Sequence, residues 1–168
     1  MSEAGSDPAS DLQPAARRVQ EALAAKGLSL EVSTFPAGTR TAQDAAAAIG
    51  CEVAQIAKSL IFRARSSNRP VLAVVSGANQ ADESRLAALL GEEIGRANAA
   101  FVRERTGFAI GGVPPIAHVE PPVTFLDSDL QTFEEIWAAA GTPNTVFRLT
   151  PDELAAMTEA PFVELRRG

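Results

Sequence analysis

At 168 residues with 46% hydrophobic content, the chain has the length of one ordinary domain and enough apolar side chains to bury a core. Twenty-one acidic residues against fifteen basic ones leave a net charge of −6, which excludes a protein that coats nucleic acid by bulk electrostatics. One cysteine, Cys51, and one histidine, His118, exclude a disulfide framework and a metal cage built from either residue type, and no apolar run is long enough to span a membrane.

The first dozen residues, MSEAGSDPASDL, are small, polar and acidic, without the basic and apolar regions of a signal peptide. Residues 1–13 therefore read as a flexible N-terminus, residues 14–168 as one domain, and the protein as cytoplasmic. Residues 14–26 are helical in pattern, with Val19 and Leu23 one turn apart and Gly27 placed to end the helix. Residues 28–35 alternate Leu30, Val32 and Thr34 against polar neighbours, as a strand does. The TAQD run at Thr41 is close to a capping box, with Asp44 where Glu usually sits, and opens an alanine-rich helix that Gly50 stops.

Residues 52–58 read as a short helix or turn. Two apolar runs, 59–65 and 71–76, flank SSNRP and predict a hairpin. Residues 81–90 are amphipathic, with Leu86, Leu89 and Leu90 on one side. Asn98 is placed to cap a helix reaching Arg105, with Gly107 after it. Residues 123–126 predict a strand, 132–140 a helix closed by Gly141, and 145–149 another strand. Thr150, Pro151 and Glu153 form a strong helix start, and 162–165 a last strand. Interleaved elements with at least one antiparallel hairpin predict an α+β domain with a mixed sheet curled toward a barrel.

Chemistry concentrates in two stretches. In residues 106–118, TGFAIGGVPPIAH, two glycines precede two prolines. Glycine permits close approach of another molecule, and proline stiffens the chain. The amides of Gly111, Gly112 and Val113 are then expected to face a cleft, where they suit a carbonyl, a ribose or a phosphate. The same residues also make a plain rigid turn. In residues 55–62, QIAKSLIF, Lys58 either complements a helix C-terminus or holds a phosphate or ribose oxygen as a point charge. Arg63, Arg65 and Arg69 follow it, and Arg103 and Arg105 precede the glycine loop. No GxSxG, HExxH, P-loop or GxGxxG occurs, so serine-hydrolase chemistry and nucleotide hydrolysis have no support. Cys51 reads as a small buried hydrophobe, and His118 as either structural or a ligand contact.

QIAKSLIF paired with TGFAIGGVPPIAH and preceded by TRTAQDAAAAIG resembles the YbaK/ProX family of aminoacyl-tRNA deacylases, free-standing relatives of the bacterial prolyl-tRNA synthetase editing domain. The resemblance runs from about residue 15 to 165. It implies a mixed, largely antiparallel, barrel-like sheet surrounded by helices, and hydrolysis of the ester on a mischarged tRNA carrying alanine, serine, threonine or cysteine. It places Lys58, Gly111 and Gly112 in the catalytic role, with no metal and no cofactor. Phe35, Thr41, Ser76, Val113 and His118 are the expected substrate-binding residues, and Arg63, Arg65 and Arg69 the expected RNA contacts. The implied partners are the 3′ end of aminoacyl-tRNA and an aminoacyl-tRNA synthetase, with no DNA and no membrane, in a monomer or homodimer. The competing class is a non-catalytic module that binds a tRNA end, a nucleotide or a synthetase through the same cleft. A stand-alone interaction fold is the third.

Overall fold

The computed structural model describes residues 13–35 and 41–167; the expected flexible N-terminus lies almost wholly outside them. Helix α1 (Pro14–Ala25) opens on a proline whose missing amide costs a first turn nothing, and it buries Ala16, Val19 and Leu23. The side chain of Gln20 then ties the following segment down: its Nε2 donates to Leu30 O at 2.7 Å, and Val32 N–H donates to its Oε1 at 3.0 Å. Strand β1 (Val32–Thr34) is shorter than the predicted 28–35. Thr41 caps α2 (Ala42–Ile49) in a complete capping box with Asp44, and Gly50 closes it in the left-handed region.

A 3-10 turn, Val53–Gln55, leads directly into β2 (Ile56–Ala64), which pairs antiparallel with β3 (Pro70–Ser76) over seven residues. Lys58 is thus the third residue of a strand and does not sit at a helix C-terminus. Helices α3 (Glu83–Leu90) and α4 (Ala99–Thr106) are capped by Asp82 and Asn98, with the short β4 (Ile94–Arg96) between them. Strand β5 (Val123–Asp127) follows the glycine–proline loop.

The helix predicted over 132–140 does not form. A 3-10 turn, Ser128–Thr132, precedes β6 (Ile136–Ala139), whose residues alternate between buried and half-buried. Alanine-rich composition argued for a helix, but pairing with β2 on one side and β7 (Thr145–Leu149) on the other decides the outcome. Helix α5 (Pro151–Thr158) has the predicted Thr150–Glu153 capping box, and β8 is the two-residue Phe162–Val163.

The strands form one mixed sheet in the order β1-β7-β6-β2-β3-β5-β8, with β4 also paired to β2. One face carries the main core, where Leu72, Val74 and Leu126 meet α1, α4, α5 and Phe108. The other face packs Val71, Ala73 and Val75 against Leu86 of α3 and Leu165. The fold is the mixed α+β architecture with helices around a central sheet. No described helix is long and apolar enough to cross a membrane.

The turn between β6 and β7 is pinned by Gly141 at φ +102°, where a Cβ would lie 2.7 Å from Ala15 O and 2.8 Å from Ala15 C. Both obstacles are backbone, so neither can swing away. Gly141→Ala should therefore cost about 1–3 kcal/mol, read as a lower urea midpoint at unchanged m-value.

Candidate functional site

The site begins with an irregularity in β2. Gly77 N–H donates to Ile56 O at 2.7 Å and Ala64 N–H to Arg69 O at 2.9 Å, which sets the phase of the strand. Even-numbered residues hydrogen-bond to β3, and odd-numbered residues turn their main-chain groups to the opposite edge. That edge is shared. Strand β6 takes it at Ile56 and Ala57, and β4 takes it at Phe62, Arg63 and Ala64. Between them the edge is bare, and Ser59 is the residue whose outward N–H and C=O meet neither strand.

Two cavities open on this gap. The smaller, about 260 Å³, runs between β2, β6, α2 and the glycine loop, and is walled by small or apolar residues such as Ala42, Ala45, Ala138, Trp137 and Val146. The larger, about 540 Å³, lies toward β4 and α4 and carries Arg65 and Arg96, with Glu83 on its wall. Ser59, Leu60, Ile110, Gly111 and Val113 line both. Lys58 faces the smaller cavity, where burial pushes its ammonium below the ordinary lysine value and the negative charge of Asp127 partly restores it. Among the described residues no hydrogen bond or ion pair holds that ammonium.

The loop over the gap is held from below and behind. Gly111 takes φ +96°, outside the comfort of other residues. Gly112 lies so close to the β6–β7 turn that a Cβ would come within 2.7 Å of Thr142 Cα and 2.9 Å of Gly141 C and O. At the far end, His118 Nε2 lies 2.7 Å from Pro114 O, and Ala117 adopts φ +71° to bring the ring back under the loop. As the acceptor is a carbonyl, Nε2 carries the proton. Burial holds the ring below the ordinary imidazole value.

The structure gathers Lys58, Thr41, Gly111 and Val113 around the smaller cavity. Gly112 does not offer a free amide: its N–H donates to Ala109 O at 3.0 Å, so its contribution is close packing. The amides of Gly111 and Val113 have no such partner among the described residues. His118 is not a wall of either cavity over the gap; it lines a separate hollow with Lys26 and Glu159 and acts on the loop through Pro114. Ser76 is fully buried, its hydroxyl donating to Ala54 O at 2.7 Å and its amide to Asp127 Oδ2 at 3.0 Å. Phe35 is bound to Asn144 through both main-chain groups, beside the wall residue Pro143. Arg65 reaches the larger cavity, whereas Arg63 bonds to Asn68, and Arg69 to Ser67 and Glu92.

Ser59, Trp137 and Arg96 were missed by sequence reasoning. A two-residue strand pairing exposes the first, a strand mistaken for a helix carries the second, and a three-residue strand carries the third. Among the described residues, no three His, Cys, Asp or Glu side chains converge to hold a metal ion.

A mixed sheet with a cleft between a strand lysine and a glycine–proline loop defines the class of aminoacyl-tRNA editing domains. Residues 36–157 match the family model described as the aminoacyl-tRNA editing domain. A solved structure described as a candidate trans-editing enzyme for prolyl tRNA synthetase shares 48% identity, with 94% of this chain and all of that one covered at TM-score 0.90. The hypothetical protein APE2540 shares 28% identity over 89% of this chain and 99% of its own, at TM-score 0.83. The uncharacterized Bacillus subtilis protein YwhH is 33% identical over 125 residues, 74% of this chain and 79% of its own. The chain belongs to the YbaK/ProX family of trans-editing aminoacyl-tRNA deacylases.

The His118 latch has a pH signature. Its folded-state pKa lies below the unfolded value of 6.5, so the stability from burying a neutral ring is complete above pH 6.5. That stability is lost as pH falls through the folded-state value, because the unfolded chain takes up a proton first. Urea denaturation at about pH 7.5 and about pH 5.5 should show wild type losing more stability than His118→Gln, which keeps an amide donor but cannot titrate.

Proposed function

We propose that the protein hydrolyses the ester linking a small, wrongly attached amino acid to the 3′ end of a tRNA, acting as a free-standing editing enzyme. The observation that carries this reading is the pair of cavities meeting at the bare edge of β2. The smaller suits an aminoacyl side chain, the larger suits the terminal nucleoside, and the ester lies where they join. There the amides of Gly111 and Val113 are available to the oxyanion that forms as water adds to the carbonyl carbon. The ester C–O bond then breaks, the ribose oxygen takes a proton, and free amino acid and uncharged tRNA leave. Lys58, with no hydrogen-bond or ion-pair partner among the described residues, supplies a positive charge for the ligand's ribose or phosphate oxygens.

No carboxylate, histidine or cysteine among the described residues lines the smaller cavity. We assign activation of the water to the substrate's own vicinal ribose hydroxyl. The apolar, alanine-rich walls favour a small apolar side chain, and alanine is the first ester to test. Ser59 Oγ is the wall's side-chain oxygen without a partner, since the Thr41 hydroxyl accepts from Asp44 N–H and the Thr145 hydroxyl is bound to Thr142. An apolar pocket rejects an added hydroxyl only weakly, so serine, cysteine and threonine esters follow at reduced rates. The relative described as a candidate trans-editing enzyme for prolyl tRNA synthetase makes the proline tRNA the first one to test. Arg65 and Arg96, at the larger cavity, are the better placed of the basic residues for RNA phosphates.

A deacylation panel of tRNAs charged with alanine, serine, threonine, cysteine or proline tests the reading. Alanyl ester should be lost fastest, and Lys58→Ala should lower that rate at least about tenfold (about 1.4 kcal/mol) while leaving the urea midpoint within about 0.5 kcal/mol of wild type. Absence of turnover on every ester, with folded protein, would leave the non-catalytic binding module as the reading that stands.

A further inference from the structure

We propose that Ser59 is the recognition site for the free α-amino group of the ligand, and that the ligand docks there as one residue of an added strand. This rests on the editing reading above for the identity of the ligand, and on three independent features of the chain for the site. First, Ser59 Oγ is the one buried side-chain oxygen or nitrogen among the described residues that has no hydrogen-bond partner. A buried hydroxyl without a partner costs about 1–3 kcal/mol, so a fold keeps one when a bound molecule completes it. Second, the main-chain N–H and C=O of the same residue point to the edge that β6 and β4 leave bare. Third, Ser59 lines both cavities, at the place where the two halves of an aminoacyl nucleoside would join.

The chemistry of the ligand fits these groups. An α-aminoacyl unit repeats the N–Cα–C=O sequence of a peptide residue. Laid along an unpaired strand edge, it makes the exchange that two facing residues make in a sheet. Its ammonium donates to Ser59 C=O and to the lone pairs of Ser59 Oγ, and its carbonyl accepts from Ser59 N–H. The donors at the junction, Lys58 and the Gly111 and Val113 amides, are suited to oxygens and not to an ammonium. No carboxylate among the described residues lines the smaller cavity, which leaves Ser59 to receive the amine. An ester lacking the amine would fit the pocket by size and still bind poorly.

The test uses two non-hydrolysable amides of 3′-amino-3′-deoxyadenosine, one alanyl and one propionyl. They differ only in that a hydrogen replaces the amine, so neither adds bulk. Calorimetric binding to wild type should favour the alanyl amide by about tenfold or more. Ser59→Ala should weaken the alanyl amide by a similar factor and leave the propionyl amide unchanged. The same variant should be as stable as wild type or more stable, because removal of an unpartnered hydroxyl breaks no bond.

Equal affinity of wild type for the two amides, an equal loss of both in Ser59→Ala, failure of the alanyl amide to bind, or a destabilised Ser59→Ala would each overturn the assignment. The deacylation panel fails separately. Ser59-dependent binding of the alanyl amide without ester turnover would keep the amine site and sink the editing activity. Turnover with no preference for the alanyl amide would do the reverse.

Discussion

Strand β2 is asked to do more than one strand usually does. It pairs with β3 along seven residues of one edge, and its other edge is divided between a parallel partner, β6, and an antiparallel one, β4. The two partners take different stretches of that edge, and the gap between them is where backbone groups lack a strand partner. Buried main-chain polar groups are almost always paired. A bare stretch inside a sheet is therefore either solvated or reserved for a ligand. Here it lies where the two cavities meet, and a bare edge this short does not recruit the strand of another chain. The cavities, the covering loop and the orphaned hydroxyl all follow from this divided edge.

What keeps the cleft from collapsing is a set of close backbone approaches. Gly112 rests on the main chain of Gly141 and Thr142, and Gly141 rests in turn on Ala15 at the start of α1. The loop that covers β2 is thus stacked through one turn onto the first helix. Pro114 and Pro115 limit its freedom beyond the glycines, and the His118 ring closes the far side through Pro114 O. The position of Gly111 and Val113 over the gap is set by contacts on the side away from any ligand. On the editing reading, amides so held would be in place before a substrate arrives, which is the condition for electrostatic stabilisation of a developing oxyanion.

Much of the fold was legible because its signals are local. Thr41 with Asp44, Asn98, Thr150 with Glu153, Gly50 and Gly107 each mark a helix end through a side-chain or left-handed cap that needs no distant partner. Residues 132–140 failed for the opposite reason. Nothing in IWAA separates strand from helix until β2 and β7 lie beside it. The start of β2 suffered likewise, and with it the setting of Lys58. Thr41, Lys58, Gly111 and Val113 stand within recognisable motifs, and the fold brings all four to the smaller cavity. His118 and Ser76 drew attention by chemical type, yet their partners are main-chain groups inside the protein. Ser59 carries no motif of its own. Its importance comes from where β6 ends and β4 begins.

The distribution of charge bears on how such a cleft would meet its substrate. A chain of net charge −6 repels a polyanion at long range, while Arg65 and Arg96 offer attraction only beside the larger cavity. Screening confines both effects to about 8–10 Å at physiological salt. Binding of a tRNA would then depend on the last nucleotides and the attached amino acid, with little held by the body of the molecule. That balance suits an editing enzyme. Correctly charged tRNAs share the same phosphates as mischarged ones, so affinity gained from phosphate contacts would be spent equally on both. On the editing reading, discrimination would have to reside in the small cavity, where the fit of the side chain would decide whether its ester reaches the loop amides. Weak attraction elsewhere keeps that local difference decisive.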